Sequence, residues 1–513
     1  MYQQDHEAVM NANKSSQVSR VTAVIMAAGQ GTRMKSSVPK VLHAVAGKPM
    51  LWYMAALARQ VADSAVAIVV GHGAEQVRAY LQNEQQTLAP FSIVEQTERL
   101  GTGHAVQQAR SVVMTDRKED TDRCLILNGD TPLLTEETVH ALLSCHQSTQ
   151  AAVTILTTLL DDPHGYGRII RGSQSEVLKI VEDRDATESE KTVQEVNVGT
   201  YVVNTSFLFG SLDALQPQNV QGEYYLTDII SMAVSQGLRV SALVTKDTKE
   251  TIGINNREHL SIAELEMRSR ICRRWMQEGV TLLDPSRTSI DADVVIGRDS
   301  LLYPDVRLEG KTVIGEFCQV RSHTRISNST VGHHVQVEDC CVLNDVVVES
   351  EASVGPFAHL RPGTTIRSKA KVGNFVELKK TDLGEGSKAN HLSYLGDTDI
   401  GRDVNIGAGT ITCNYDGFRK EKTVIEDGVF IGSDSQLIAP VTIGQGAIIA
   451  AGTTVTQDIP SEALGISRTV QLNRDGAARR KRALSSSPAS NANSDHPSQP
   501  GQAKESTSQG SGS

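Results

Sequence analysis

Residues 24–40 read V-I-M-A-A-G-Q-G-T-R-M-K-S-S-V-P-K, and the fold of the first half of the chain follows from them. An apolar run that suits a buried strand breaks at Gly29 and Gly31, where missing side chains let backbone N–H groups approach a phosphate. Arg33 and Lys40 then bring positive charge for the same group. The string is not a P-loop, because no G-K-[ST] follows at the required spacing. Nor is it G-x-G-x-x-G, because Met34 stands where the third glycine would be.

Working outward, short apolar runs alternate with helical patterns. Residues 21–26, 66–70, 93–95 and 124–127 read as buried strands, and 50–61, 74–81 and 103–114 as helices between them. That alternation predicts an α/β, Rossmann-like domain: a parallel sheet with helices on both faces. Ligands in such folds gather beyond the carboxyl ends of the strands. The Gly29 loop, the L-G-T-G-H turn at 100–104 and Asn128-Gly129-Asp130 all fall there. Asp130 is a candidate ligand for magnesium, which needs only one or two protein oxygens when phosphate and water complete its shell. Farther on, G-Y-G-R at 165–168, Glu182, Asn197 and G-E-Y-Y-L-T-D at 222–228 offer polar groups suited to sugar hydroxyls and an acetamide. Asn255 supplies a second neutral oxygen of the kind magnesium accepts.

From 257 to 279 the apolar spacing turns helical, with Leu260, Ile262, Ala263, Leu265, Met267 and Ile271 among many charges, which predicts a connecting helix. Beyond residue 280 aliphatic–glycine pairs recur at Ile296-Gly297, Ile314-Gly315, Val354-Gly355, Val372-Gly373, Ile400-Gly401, Ile406-Gly407, Ile431-Gly432 and Ile443-Gly444. Glycine spacings of 18 (297 to 315), 18 (355 to 373), 6 (401 to 407) and 12 (432 to 444) are multiples of six and signal a hexapeptide parallel β-helix, with the aliphatic residue stacked inward and glycine or asparagine easing the corners. Two polar stretches read as interruptions of the coil, one around S-K-A-N-H-L-S-Y-L-G-D at 387–397 and one at C-N-Y-D-G-F-R-K-E-K, 413–422. Loops are where a solenoid carries function. His391 suits proton transfer near neutral pH. Arg361, Lys379, Lys380, Tyr394 and Asn405 surround it in the coil pattern and suit an anionic, amine-bearing substrate.

The 513 residues carry 50 Lys and Arg against 60 Asp and Glu, a net charge of −10, which argues against nucleic-acid binding and confines any phosphate site to a local cationic pocket. Seven cysteines without a C-x-x-C read as reduced thiols rather than as a zinc site or disulfide frame. No apolar signal core and no membrane-length run occurs, which leads to a cytoplasmic, soluble reading. The expected organisation is a flexible leader (1–19), an α/β domain (20–256), a linker helix (257–279), a β-helix (280–470) and a disordered tail (471–513) in which the basic run 479–482 is a solvated feature.

The string G-Q-G-T-R-M with P-K-V-L after it resembles the signature loop of sugar-1-phosphate nucleotidyltransferases, and Gln30 and Met26 depart from the usual form without removing a glycine or a cation. Joined to H-L-S-Y-L-G-D (391–397) and N-I-G-A-G-T-I-T-C-N-Y-D-G (405–417), it closely resembles the bacterial bifunctional N-acetylglucosamine-1-phosphate uridylyltransferase/glucosamine-1-phosphate N-acetyltransferase family over residues 21–470.

That resemblance implies a nucleotidyltransferase domain followed by a left-handed β-helix. It implies UTP and sugar-phosphate binding by Met26, Ala27, Ala28, Gly29, Lys40, Gln96, Gly101, Thr102, Asn128, Gly129, Asp130, Gly167, Glu182, Asn197 and Asn255. Asp130 and Asn255 would hold magnesium, and Arg33 and Lys40 would stabilise charge in the reaction. In the second half His391 would be the general base, with Arg361, Lys379, Tyr394 and Asn405 on the sugar phosphate. Ala408, Asn414, Tyr415, Ser433, Ala451 and Arg468 would contact acetyl-CoA, with Lys420 on the adjoining loop. The resemblance further implies a homotrimer and a product, UDP-N-acetylglucosamine, that feeds peptidoglycan and lipopolysaccharide synthesis. A β-helix carbonic anhydrase with zinc held by histidines between subunits is the rival metalloenzyme reading. It needs three histidines on adjacent coils, and His323, His333, His334, His359 and His391 show no repeat-matched set.

Overall fold

Val21–Ala27, the strand that feeds the glycine loop, is buried at all but one position and lies inside a mixed sheet. In the computed structural model, which describes residues 20–115 and 122–485, the strand order is Val240–Val244, Val153–Leu159, Glu195–Asn204, Arg123–Asn128, Val21–Ala27, Val66–Val70, Ser92–Glu95. The last four run parallel, as the alternation of apolar runs and helical patterns predicts. Glu195–Asn204 runs antiparallel to both its neighbours, so the sheet is not wholly parallel as expected. After Val153–Leu159 the chain makes a hairpin of Arg168–Arg171 and Val177–Val181 and returns with only the four-residue helix Glu188–Lys191 on the way. A return without a long crossover leaves the neighbour antiparallel.

The predicted helix at 50–61 is Met50–Val61, and that at 74–81 is Ala74–Asn83. The one expected at 103–114 divides into Thr102–Gln108 and Arg110–Thr115, because at Ala109 the hydrogen bond tightens to the Val106 carbonyl. Arg257–Gln277 is the connecting helix. It buries Ala263, Ile271, Cys272 and Trp275 and leaves Ile262 and Leu265 exposed, since the i, i+4 row from Ala263 through Met267 and Ile271 to Trp275, with Cys272 beside it, faces inward.

From Thr281–Leu282 to Leu464–Gly465 short parallel strands stack into a β-helix. One inward column runs Leu302, Val320, Val337, Val354, Val372, Ala389, Ile406, Ile431, Ile449, each partnered in register with the next and each almost fully buried. A Cβ on Gly315 would lie 2.6 Å from the backbone of Gly332, so this glycine is needed where one coil crosses closely over another. Left-handed positions along the coil are taken by glycines such as Gly355 (φ 103°) and Gly363 (φ 81°), by Asn328 (φ 47°), and also by larger residues such as Phe357 (φ 55°) and Phe375 (φ 56°). The stretch 387–397 is also not an interruption. Lys388–His391 and Tyr394–Ile400 pair in register with the coils on either side. Only residues 414–422 leave the coil, as a small hairpin bridged from Tyr415 to Lys420.

This first unit ends at Ile466. The second begins at Ser467, and within it Ala477–Ser485 forms a helix in a stretch expected to lack order, its Ala, Arg, Lys and Leu being good helix formers. The expected leader and the tail beyond 485 lie outside the described residues.

Candidate functional site

The glycine loop folds back across the carboxyl end of Val21–Ala27. Gly31 sits at φ +63°, and a Cβ there would stand 2.6 Å from the Cβ of Lys40, so this glycine is what lets Lys40 cross the loop. Lys40 donates from Nζ to Oδ1 of Asn255 at 2.8 Å and pairs with the Asp130 carboxylate. Arg33 donates to the same Asn255 oxygen at 3.0 Å. Asp130 and Asn255 come from turns far apart in sequence, tied by a 3.0 Å bond from the Ile254 N–H to the Asp130 carbonyl. Because both place an oxygen on one ammonium, they are close enough to serve one cation. Their chemistry, one carboxylate and one amide oxygen, fits magnesium. Among the described residues of the single chain, no three His, Cys, Asp or Glu side chains converge as a metal-binding group.

A cleft of about 590 Å³ opens beside these groups. Met26, Ala27, Ala28, Gly29, Lys40, Gln96, Gly101, Thr102, Asn128 and Asp130 line it, as the sequence leads one to expect, together with Gln30, Val41, Arg99, Ala105 and Glu223. Gly101 has φ +107°, and a Cβ there would meet the Tyr224 carbonyl at 2.6 Å. That close approach lets Tyr224 N–H bond to the Leu100 carbonyl at 2.7 Å and Gly103 N–H to the Tyr224 carbonyl at 2.8 Å, which carries Glu223 to the cleft. Gln96 is buried and donates to the Gly101 carbonyl at 3.0 Å. Asn128 donates to the Val198 carbonyl at 3.2 Å, which orients its amide. Gly129 contributes backbone alone, its N–H bonded to the Met26 carbonyl at 2.9 Å.

Gly167, Glu182 and Asn197 form a second group. The Asn197 N–H bonds to the Gly167 carbonyl at 2.9 Å, and the Glu182 carboxylate lies beside Gly167. Burial, first of all, pushes the Glu182 carboxyl above the usual carboxylate range, against a 3.1 Å hydrogen bond from Thr227 that favours the charged form. Asn197 is held at both ends of its amide, donating to the Tyr201 hydroxyl at 2.6 Å and accepting from the Gly199 N–H at 2.9 Å. Tyr166 precedes Gly167 in sequence, and its phenol is pushed up first by burial and then by the Asp130 carboxylate, against a backbone hydrogen bond at Gly253 and the charge of Arg33. Tyr166 and Glu223 lie in stretches singled out from sequence, but their types alone gave no role. Arg99 carried no signal beyond preceding L-G-T-G.

In the β-helix the candidate residues divide over two sheets. On the first, Asn374 partners His391 directly, and Val372, Ala389, Ile406, Ile431 and Ile449 register with one another. Each candidate stands two residues after its registered strand residue, so Asn374, His391, Ala408, Ser433 and Ala451 make one column, one per coil. The imidazole is exposed and the positions after it are small, which leaves a shelf along the solenoid. His391 donates from Nδ1 to Oδ1 of Asn374 at 2.7 Å, so its Nε2 carries the free lone pair. Asn405 lies on the same sheet.

On the second sheet, Arg361 pairs with Glu377 at 2.8 Å and Lys379 with Asp397 at 3.1 Å. Asp397 raises the Lys379 ammonium, and the nearby Lys379 pushes Lys420 down, so two cations crowd one spot. Asn414 is buried and donates to Asp397, and the Tyr394 hydroxyl shares the space over Gly396 with the Asn414 amide. Tyr415 is exposed and donates to the Gly417 carbonyl at 2.6 Å. A single chain thus separates His391 from Tyr394 by the corner at Leu392 and Ser393. Arg468 belongs to the second unit. A larger groove, about 840 Å³, lies elsewhere on the solenoid and holds none of the expected residues. Its Arg367 and Arg402 are already paired with Glu349, Asp382 and Asp427.

Residues 23–192 match the MobA-like NTP transferase domain, and residues 422–457 match six repeats of the bacterial transferase hexapeptide, in keeping with a left-handed coil. The chain is 47% identical over 453 residues to the "Bifunctional protein GlmU" of Shouchella clausii (strain KSM-K16), covering 88% of this chain and 97% of the relative. It is 48% identical over 456 residues to that of Pelobacter propionicus (89% and 97%), and 46% identical over 479 residues to that of Geobacter sulfurreducens (90% and 99%). With a phosphate-handling cleft in one half and an oriented imidazole on a hexapeptide solenoid in the other, the chain belongs to the bifunctional GlmU family.

Proposed function

We propose that the cleft around Lys40, Asp130 and Asn255 is the uridylyl-transfer site, and that the shelf at His391 is the acetyl-transfer site. The enzyme acetylates the amine of glucosamine 1-phosphate with acetyl-CoA. It then transfers the uridylyl group of UTP to N-acetylglucosamine 1-phosphate, giving UDP-N-acetylglucosamine and pyrophosphate for cell-wall precursor synthesis. The observation that carries the reading is the convergence of Lys40 and Arg33 on the Asp130–Asn255 pair at the strand ends.

In acetyl transfer, Nε2 of His391 takes a proton from the substrate amine, whose nitrogen attacks the thioester carbonyl, and the carbon–sulfur bond breaks to release coenzyme A. Asn374 holds the imidazole in the tautomer that leaves Nε2 free. Arg361, Lys379, Tyr394 and Asn405 grip the sugar phosphate, and Ala408, Asn414, Tyr415, Ser433 and Ala451 contact the coenzyme. In uridylyl transfer, a phosphate oxygen of the sugar attacks the α-phosphorus of UTP and the bond to pyrophosphate breaks. Lys40 and Arg33 hold the negative charge that builds there, while Gln96, Gly101 and Thr102 fix the nucleotide and Gly167, Glu182 and Asn197 fix the sugar. Asp130 and Asn255 would hold magnesium, which when bound would supply further positive charge for the phosphate oxygens.

The split of His391 and Tyr394 over two faces supports a homotrimer in which neighbouring solenoids complete the acetyl-transfer site. No helix among the described residues is long and apolar enough to cross a membrane, and we place the enzyme in the cytoplasm. Residues 20–256, 257–279 and 280–470 are its functional segments. Incubation with glucosamine 1-phosphate, acetyl-CoA, UTP and magnesium, followed by mass analysis, tests the reading: UDP-N-acetylglucosamine forms only when all four are present.

A further inference from the structure

One guanidinium holds both ends of the loop that carries Lys40. Arg257, the first residue of the helix Arg257–Gln277, donates from Nε to the Met34 carbonyl at 3.3 Å and from Nη1 to Nδ1 of His43 at 3.2 Å. Lys40 lies between those two anchor points, Arg33 directly precedes the first, and Asn255 stands two residues before Arg257 itself. The helix behind Arg257 is a fixed base. The Asn256 side chain caps it through the His259 N–H at 2.8 Å, Arg268 pairs with Glu264 at 2.6 Å, and Ile271 and Trp275 are packed in the β-helix core.

We infer that Arg257 is a positioning residue for uridylyl transfer: by stapling residues 34 and 43 to the helix that follows Asn255, it sets Lys40 and Arg33 on the Asn255 oxygen. The inference rests on reading the cleft as the uridylyl-transfer site. A loop left open at its ends samples many conformations, and closing it once, before substrate arrives, removes that cost from the reaction. The two acceptors lie on different segments, and a planar fork can serve both where a single ammonium on a flexible stem cannot. His43 accepts through Nδ1, and burial followed by the charge of Arg257 holds its imidazole below the usual histidine range, consistent with a neutral acceptor.

The test uses the full-length chain with Arg257→Met, Arg257→Lys and Arg257→Ala. Uridylyl transfer from UTP to N-acetylglucosamine 1-phosphate should lose roughly a hundredfold in kcat in all three, the size expected when reacting groups are displaced by about an ångström. Acetyl transfer by the same preparations should stay at the wild-type rate, and methylguanidinium should restore part of the uridylyl rate to Arg257→Ala. Arg257→Met with wild-type kcat overturns the inference, as does a parallel loss of both activities without rescue. A wild-type chain that forms no UDP-N-acetylglucosamine from UTP and the sugar phosphate instead overturns the reading of the cleft, and the staple falls with it.

Discussion

Nδ1 of His391 stands 2.7 Å from Oδ1 of Asn374, which belongs to the preceding coil. An amide oxygen only accepts, so the imidazole proton sits on Nδ1 and the base is oriented before any substrate binds. His391→Ala should therefore cost acetyl transfer about 10²- to 10⁴-fold in kcat, as loss of a general base does, and leave uridylyl transfer unchanged. Separate assays of coenzyme A release and pyrophosphate release check both halves of the statement.

Asn374 tunes the same imidazole. In Asn374→Asp a carboxylate beside His391 favours the imidazolium, so the base stays protonated to higher pH. The acidic limb of the acetyl-transfer kcat/KM profile should move to higher pH, while the uridylyl-transfer profile keeps its place.

Lys40 and Asp130 are paired beside the cleft, and the proposed uridylyl-transfer reading gives each a different task. Lys40→Met should lower uridylyl kcat by about 10²- to 10³-fold, the scale of removing one preorganised charge donor. Asp130→Asn should weaken divalent-ion binding, measurable by manganese paramagnetic resonance independently of turnover. Neither change should alter acetyl transfer.

Glu182 gives a stability prediction with a definite sign. Burial raises its carboxyl, so the folded chain binds more protons than the unfolded one between the unfolded value and the raised one, and this group's contribution to stability falls as pH rises through that window. Glu182→Gln keeps an acceptor for Thr227 and removes the buried charge. Its melting temperature relative to wild type should be higher at pH 7 than at pH 4, while its KM for N-acetylglucosamine 1-phosphate rises.

Two glycines separate close approach from helix propensity. A Cβ at Gly315 would lie 2.6 Å from the backbone of the next coil, whereas one at Gly210, inside the helix Thr205–Ala214, meets nothing within 4 Å. Gly315→Ala should destabilise the chain by about 1–3 kcal/mol through overpacking. Gly210→Ala should stabilise it by about 0.5–1 kcal/mol. Urea unfolding of the two variants measures both.

Legibility in the sequence followed how local each feature is. Residues 21–40 specify their own strand and glycine turn, and the helix Met50–Val61 emerges at its expected bounds because its period is written in its own side chains. The repeat glycines were readable as a period, but their purpose was not. That Gly297 and Gly315 permit close coil crossing depends on a backbone 17 or 18 residues away.

The sequence by itself determined an α/β half with a glycine turn after its first strand, a helical connector and a stacked hexapeptide solenoid, because hydrophobic period and glycine position act over a few residues. Only the tertiary structure decided that Glu195–Asn204 reverses direction, that Asn374 is the partner of His391, and that Arg257 reaches both Met34 and His43. Those contacts join residues 17 to more than 200 positions apart, and which of many similar polar side chains meet is settled by coil length and helix packing, quantities that no local stretch of chain contains.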